Sequence, residues 1–151
     1  MTKVEPGIEA LLDTAAARCA AGGAQLTPLR RQVLRLVLEA EQPVGAYALL
    51  ERLKAERGPA APPTVYRALD FLLEQGLVHR LERLNAFLPC IEVHQHDHAH
   101  QFLICTQCGT TAEIADAATT RALDAAAAKI GFHPARAMVE VEGLCARCQP
   151  G

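Results

Sequence analysis

Cys105 and Cys108 form one C-x-x-C pair, and Cys145 and Cys148 form another, with 36 residues (109–144) between them. Four thiolates in two such pairs make a closed tetrahedral Zn²⁺ site, with Zn–S near ~2.3 Å. The constraint on the fold is severe. Whatever lies between the pairs must bring the end of the chain back to the start of its second half. Disulfides or a thioredoxin-like dithiol are the alternatives, and neither C-T-Q-C nor C-A-R-C has the look of a redox centre. The opening stretch Met1 to Pro6 has no apolar core of an export signal. The expected compartment is therefore the reducing cytoplasm, where thiols are kept for metal.

A chain of 151 residues makes one or two small domains. The part carrying the cysteines, of roughly 65 residues, is marginal alone and calls for a zinc staple or a dimer interface. Half the residues are apolar, yet no apolar run approaches the ~18 residues of a membrane span, so no membrane partner is expected. The net charge of −2 divides unevenly: residues 1–84 carry 11 Lys/Arg against 10 Asp/Glu, and residues 85–151 carry 4 against 7. Global charge does not advertise nucleic-acid binding. A local patch is the candidate instead, with Arg30, Arg31 and Arg35 on one predicted helix.

Periodicity predicts four helices and a hairpin in the first half. Ile8, Leu11, Leu12, Ala15 and Ala16 mark one helix to Ala21, stopped by Gly22-Gly23. Thr27-Pro28 opens a second, to Glu39, with Val33, Leu34, Val37 and Leu38 inward. A third spans Ala46 to Arg57, with Leu49, Leu50 and Leu53 inward. Pro62-Pro63-Thr64 introduces a fourth, Val65 to Gln75, with Leu69, Leu72 and Leu73 inward and Gly76 as the stop. Leu77 to Leu84 and Ala86 to Ile91 alternate like paired strands.

This order makes a winged helix-turn-helix, in which one helix enters the major groove of DNA and the wing follows the backbone. Thr64, Tyr66 and Arg67 fall at the N-terminal turn of the fourth helix, where base-reading side chains project. Arginine reads guanine bidentately, and tyrosine contacts phosphate or a thymine methyl. The competing readings are a solvated surface arginine and a tyrosine packed on a neighbouring helix.

The second half reads as strands at Gln101–Cys105, Thr110–Ile114 and Ala135–Glu142, with an Ala-rich helix from Ala118 to Ile130. So small a sheet has an edge that invites pairing with a second copy, giving a two-fold dimer on palindromic DNA. The fold class is thus α+β: an N-terminal winged helix-turn-helix DNA-binding domain (1–88), a hinge and His-rich metal-binding linker (89–100), and a small α/β dimerisation domain with a four-cysteine zinc site (101–151).

The linker holds His94-Gln95-His96-Asp97-His98-Ala99-His100. Histidines alternating in an extended segment point to one side, as metal ligands do. Cys90 lies just upstream and is a candidate ligand, whereas Cys19, in an Ala-rich helix, reads as core filler.

The stretch from Pro62-Pro63-Thr64-Val65-Tyr66-Arg67 to Gly76-Leu77-Val78-His79 resembles the recognition-helix signature of the ferric uptake regulator superfamily. The His tract and the two cysteine pairs follow in that superfamily's order, and the similarity runs from Leu26-Thr27-Pro28-Leu29-Arg30 onward. Cys90, with His98 and Glu113 at matching offsets, resembles the sensory site of its zinc-responsive branch. The resemblance implies two zinc ions or more per subunit: Cys105, Cys108, Cys145 and Cys148 structural; His79, Cys90, His98 and Glu113 sensory. His96 and His100 are second choices, His94 and Asp97 are further neighbours, and His133 is weaker. One thiolate among such ligands disfavours the harder Fe²⁺ and Mn²⁺.

It further implies a homodimer that, when zinc-loaded, binds AT-rich palindromic operators and represses zinc-uptake genes. Tyr47 and Arg67 occupy base-contacting positions, and Tyr66 lines the groove. Glu51 and Lys54 are candidates for bridging two dimers on one operator.

An enzyme is not expected. The H-x-E…P-C-x-x-C signature of zinc deaminases, the H-E-x-x-H of zinc proteases and glycine-rich phosphate loops are all absent. The remaining alternatives are a same-fold sensor of iron, manganese or peroxide, and a zinc-stapled DNA-binding protein without sensing.

Overall fold

The computed structural model describes residues 6–90, 100–114, 116–135 and 137–150, and the backbone alone of His100. Two compact units divide the chain, Met1–Glu92 and Val93–Gly151.

In the first unit, α1 (Ile8–Ala21), α2 (Pro28–Glu39), α3 (Ala46–Arg57) and α4 (Pro62–Glu74) precede the strands β1 (Val78–Leu81) and β2 (Ala86–Pro89). Local chemistry sets their limits. Thr27 caps α2, its hydroxyl oxygen accepting from the Arg30 N–H at 3.3 Å, and Pro28 takes the first helical position. Helix α4 starts on Pro62-Pro63 rather than at Val65 as the apolar pattern suggests, because first-turn N–H groups have no helical partner to lose. At its end Gly76 adopts φ +70. The Gly76 N–H bonds to Leu73 O at 3.0 Å and the Leu77 N–H to Leu72 O at 2.9 Å. This paired closure turns the chain straight into β1, in a conformation that strains any residue with a Cβ.

The core of this unit gathers Leu12, Ala15 and Cys19 from α1, Val33, Leu34, Leu36 and Val37 from α2, Leu49, Leu50 and Leu53 from α3, and Val65, Ala68, Leu69 and Leu72 from α4. Leu36 is buried, whereas Leu38 and Leu73 are only half-buried. Helix α2 packs against α1, α3, α4 and β2 at once, so one apolar stripe does not describe it. Cys19 is 1% exposed, and burial pushes its thiol pKa up, as an apolar filler requires.

The wing is shorter than the alternation suggests. Strands β1 and β2 pair antiparallel, Val78 opposite Pro89 and Leu81 opposite Ala86. Asn85 makes the turn at φ 47, and the Arg80 guanidinium donates to its side-chain oxygen at 2.8 Å. A contact of long sequence range anchors the ribbon: Val44 and Phe87 exchange backbone hydrogen bonds of 3.1 and 2.8 Å.

The second unit holds β3 (His100–Cys105), β4 (Thr111–Ile114), α5 (Ala117–Ala128) and β5 (Met138–Gly143). The sheet order is β4-β3-β5, with β3 antiparallel to β4 and parallel to β5. Asp116 caps α5, accepting from the Ala118 N–H at 3.2 Å and the Thr119 hydroxyl at 2.8 Å. These bonds hold its carboxyl below the usual carboxylate range. The described residues of this unit include just four buried ones, Gln101, Phe102, Ile104 and Cys105, and none in α5. So little core does not hold a unit of this size by apolar burial alone.

Candidate metal centre and nucleic-acid interface

The parallel register of β3 and β5 places Cys105 opposite Gly143. Cys145 follows two residues later, so the pairing of the strands closes the distance between the two cysteine pairs. Two further bonds lock the junction: Cys105 N–H to Thr110 O and Thr106 N–H to Gly143 O, both 2.9 Å. All four Sγ atoms of Cys105, Cys108, Cys145 and Cys148 lie within 4.8 Å of one another. The Cys108 and Cys145 sulfurs are 3.7 Å apart. A tetrahedron with Zn–S of ~2.3 Å has S···S edges of ~3.8 Å, so the donor set fits zinc. None of the six cysteines is in a disulfide.

Cys105 and Cys148 are shifted in opposite directions. Cys105 is drawn down to about 6 by the backbone N–H groups of Cys108 and Cys145. Cys148 is pushed up to about 12 by hydrogen bonding to the Cys145 thiol, then by burial and by the Cys108 and Cys105 thiols. A dication among them removes that conflict, since thiolate ligands give up their protons to bind. One supporting residue has no distinctive mark in the sequence. The Thr110 hydroxyl lies 3.1 Å from Cys108 Sγ, and it lowers that thiol's pKa. Arg147 donates to the same hydroxyl at 3.4 Å. The one signal in sequence is a hydroxyl two residues after a ligand, too common to single out.

The remaining metal candidates fall on several elements. His79 is 2% exposed on β1. Cys90 continues the ribbon, its N–H bonding to Leu77 O at 2.8 Å. Because His79 stands opposite Leu88, Cys90 falls on the same face as a diagonal neighbour of His79. Glu113 belongs to β4, opposite Phe102. His94, His96, Asp97 and His98 lie outside the described residues, and His100 is described in backbone alone, as the start of β3. His133 is exposed beyond α5.

On the first unit, Tyr47 is 77% and Tyr66 53% exposed, the former on α3 and the latter on α4. Packing therefore does not account for either ring. Arg67 is exposed beside Tyr66, and Thr64 is half-buried. The basic patch expected on α2 is not one. Arg31 pairs with Glu9 at 3.0 Å and Asp13 at 2.9 Å, and Arg35 pairs with Glu39 at 2.6 Å and with Glu56. These pairs tie α2 to α1 and α3, which consumes two of the three charges. Lys54 and Glu51 pair with each other at 3.5 Å within α3.

Comparison with known proteins agrees with this architecture. Residues 21–142 match the model of the family described as the ferric uptake regulator family. The zinc uptake regulation protein of Escherichia coli (strain K12) is 41% identical over 138 residues, covering 91% of this chain and 81% of that protein. A solved structure of a zinc uptake regulator complexed with zinc and DNA has a TM-score of 0.85 and 40% identity, covering 95% of this chain and 96% of that one. The crystal structure of holo XcZur has a TM-score of 0.78 and 42% identity, covering 92% and 96% respectively. A helix-turn-helix with its wing, a four-cysteine cluster closed by a parallel strand pair, and a sequence match through both units have one common account: the chain belongs to the ferric uptake regulator family.

Proposed function

We propose that the chain is a zinc-responsive transcriptional repressor, acting as a homodimer on AT-rich palindromic DNA. The observation that carries this reading is the exposed Tyr47, Tyr66 and Arg67 on a helix-turn-helix, in a chain 40% identical to a zinc uptake regulator complexed with zinc and DNA. The domains proposed are residues 1–88 for DNA, 89–100 as linker and 101–151 for dimerisation. Two zinc ions or more bind each subunit: a structural one on Cys105, Cys108, Cys145 and Cys148, and a sensory one on His79, Cys90, His98 and Glu113, with His96 and His100 as substitutes. Mixed nitrogen, sulfur and oxygen ligation suits Zn²⁺. In support, the wing register sets His79 and Cys90 on one face. The protein works in the cytoplasm and catalyses no reaction. Two dimers share an operator through Glu51 and Lys54 released from their mutual pair.

Zinc must favour the DNA-competent state by ~1.4 kcal/mol for each tenfold gain in affinity, and DNA must tighten zinc by the same factor. Fluorescence anisotropy of a labelled AT-rich palindrome, titrated with buffered free zinc, tests the reading for wild type and Cys90→Ser. Wild-type binding is expected to tighten at least ~10-fold with zinc while the variant stays weak. Equal binding by both proteins at every zinc level would remove the sensory site and leave a zinc-stapled DNA-binding protein.

A further inference from the structure

Arg30 is the one arginine of α2 whose charge no carboxylate answers among the described residues. Its Nη1 donates to Gln25 O at 2.8 Å, and its guanidinium carbon lies 3.8 Å over the centre of the Phe71 ring. Both contacts hold the fork in place while leaving its charge intact and most of its five N–H donors unused. Arg31 and Arg35, by contrast, are neutralised by Glu9, Asp13, Glu39 and Glu56.

Arg30 lines a polar cleft of about 270 Å³ with Thr27, Leu29, Thr64, Arg67 and Ala68. No lining residue is acidic. The second arginine there, Arg67, is the exposed base-reading candidate of α4. The Thr27 hydroxyl oxygen accepts from the Arg30 N–H, a bond that does not use its own proton, and Thr64 brings a second hydroxyl to the same cleft.

Two guanidinium groups without a carboxylate partner among the described residues and two hydroxyls, around one small cleft, make a receptor for a tetrahedral oxyanion of single charge. From this we infer that the cleft seats one backbone phosphodiester of the bound duplex, gripped by Arg30, Thr27 and Thr64 beside the major-groove contact of Arg67. This rests on the DNA-binding reading above and adds to it a clamp. Phosphate contacts set the register of a protein on the duplex, and base contacts then read sequence. Arg30 is a positioning residue in this sense. Its rigid anchorage on Gln25 and Phe71 lets α4 enter the groove at one depth.

The test uses the zinc-loaded full chain and a labelled AT-rich palindromic duplex, with anisotropy measured over a range of salt. Wild type is compared with Arg30→Gln and Arg30→Lys. Loss of one phosphate contact lowers the slope of log affinity against log salt by about 0.9. For Arg30→Gln we expect that drop and severalfold weaker binding, shared equally by the palindrome and a scrambled duplex. Arg30→Lys keeps the slope and recovers part of the affinity. In a second arm, single phosphates are replaced by neutral methylphosphonates. One position should weaken wild type but leave Arg30→Gln unchanged.

A purely structural role for Arg30 would lower affinity without moving the slope, and every methylphosphonate would then act alike on both proteins; that result overturns the clamp. Failure of wild type itself to bind the duplex in zinc shows in the first titration and removes the DNA-binding reading, and the clamp with it.

Discussion

Cys145→Ser is expected to unfold the second unit while leaving the first intact. Only four described residues of that unit are buried, and its helix buries none. Apolar burial there is far short of the conformational entropy of ordering some fifty residues, each costing about 1–2 kcal/mol in backbone alone. Structural zinc contributes roughly 10–16 kcal/mol in small zinc-stapled folds, comparable to the whole stability of an ordinary domain. The proposed dimer interface adds to this but presupposes a folded sheet.

Serine offers a hydroxyl of much higher pKa than a thiol, so three good ligands remain and one becomes poor. Amide hydrogen exchange checks the result: protection should vanish from β3, β4 and β5 and persist in α2 and α4. Metal analysis should find one zinc fewer per chain. Unchanged protection in β3 together with wild-type zinc content would refute a structural metal.

Acidification should act in the same direction. Ligand thiols bind zinc only when ionised, so the stability zinc contributes is present at neutral pH and is lost as pH falls and the sulfurs regain protons.

The second large effect separates stability from recognition on one helix. Leu69 is 1% exposed in the core, whereas Arg67, two residues earlier, is exposed. Leu69→Ala should cost about 2–5 kcal/mol of stability through lost burial and the cavity left behind. In a unit of this size each kcal/mol lowers Tm by roughly 4–8 °C, so the shift is of order 10 °C or more. DNA binding falls only as far as the folded fraction falls. Arg67→Ala should do the reverse. Its stability stays within the ~0.5 kcal/mol typical of surface changes, while affinity drops by about 1–3 kcal/mol and discrimination at one base pair is lost. Thermal melting and anisotropy on the same samples separate the two. If Arg67→Ala melts early, or binds with wild-type selectivity, the arginine does not read a base.

Glu51 and Lys54, the candidate bridges between dimers, pair with each other at 3.5 Å. Such an exposed pair is worth only a few tenths of a kcal/mol, small enough for a partner to break. The arginines of α2 differ. Their clustering on one helix is legible in the sequence, and so is the Arg35–Glu39 spacing of four, but Arg31 and Arg35 also lie against carboxylates 18 to 22 residues away on α1 and α3. Periodicity carries no information about which opposite charge another helix will bring.

What the chain declares by itself is whatever its physics confines to a turn or two. Thr27-Pro28, Pro62-Pro63, Gly22-Gly23 and Gly76 mark helix ends because a cap, a missing N–H or a left-handed residue acts within about four positions. The spacing of Cys105 with Cys108, and of Cys145 with Cys148, likewise names a metal, since two residues between thiols suit one ion. Tertiary structure alone decided how the two pairs meet, through the parallel register that sets Cys105 opposite Gly143. It alone anchored the wing on Val44, buried Leu36, and set Arg30 over the Phe71 ring. Each of these joins residues far apart in the chain, where packing and strand pairing choose the neighbour and no local propensity reaches.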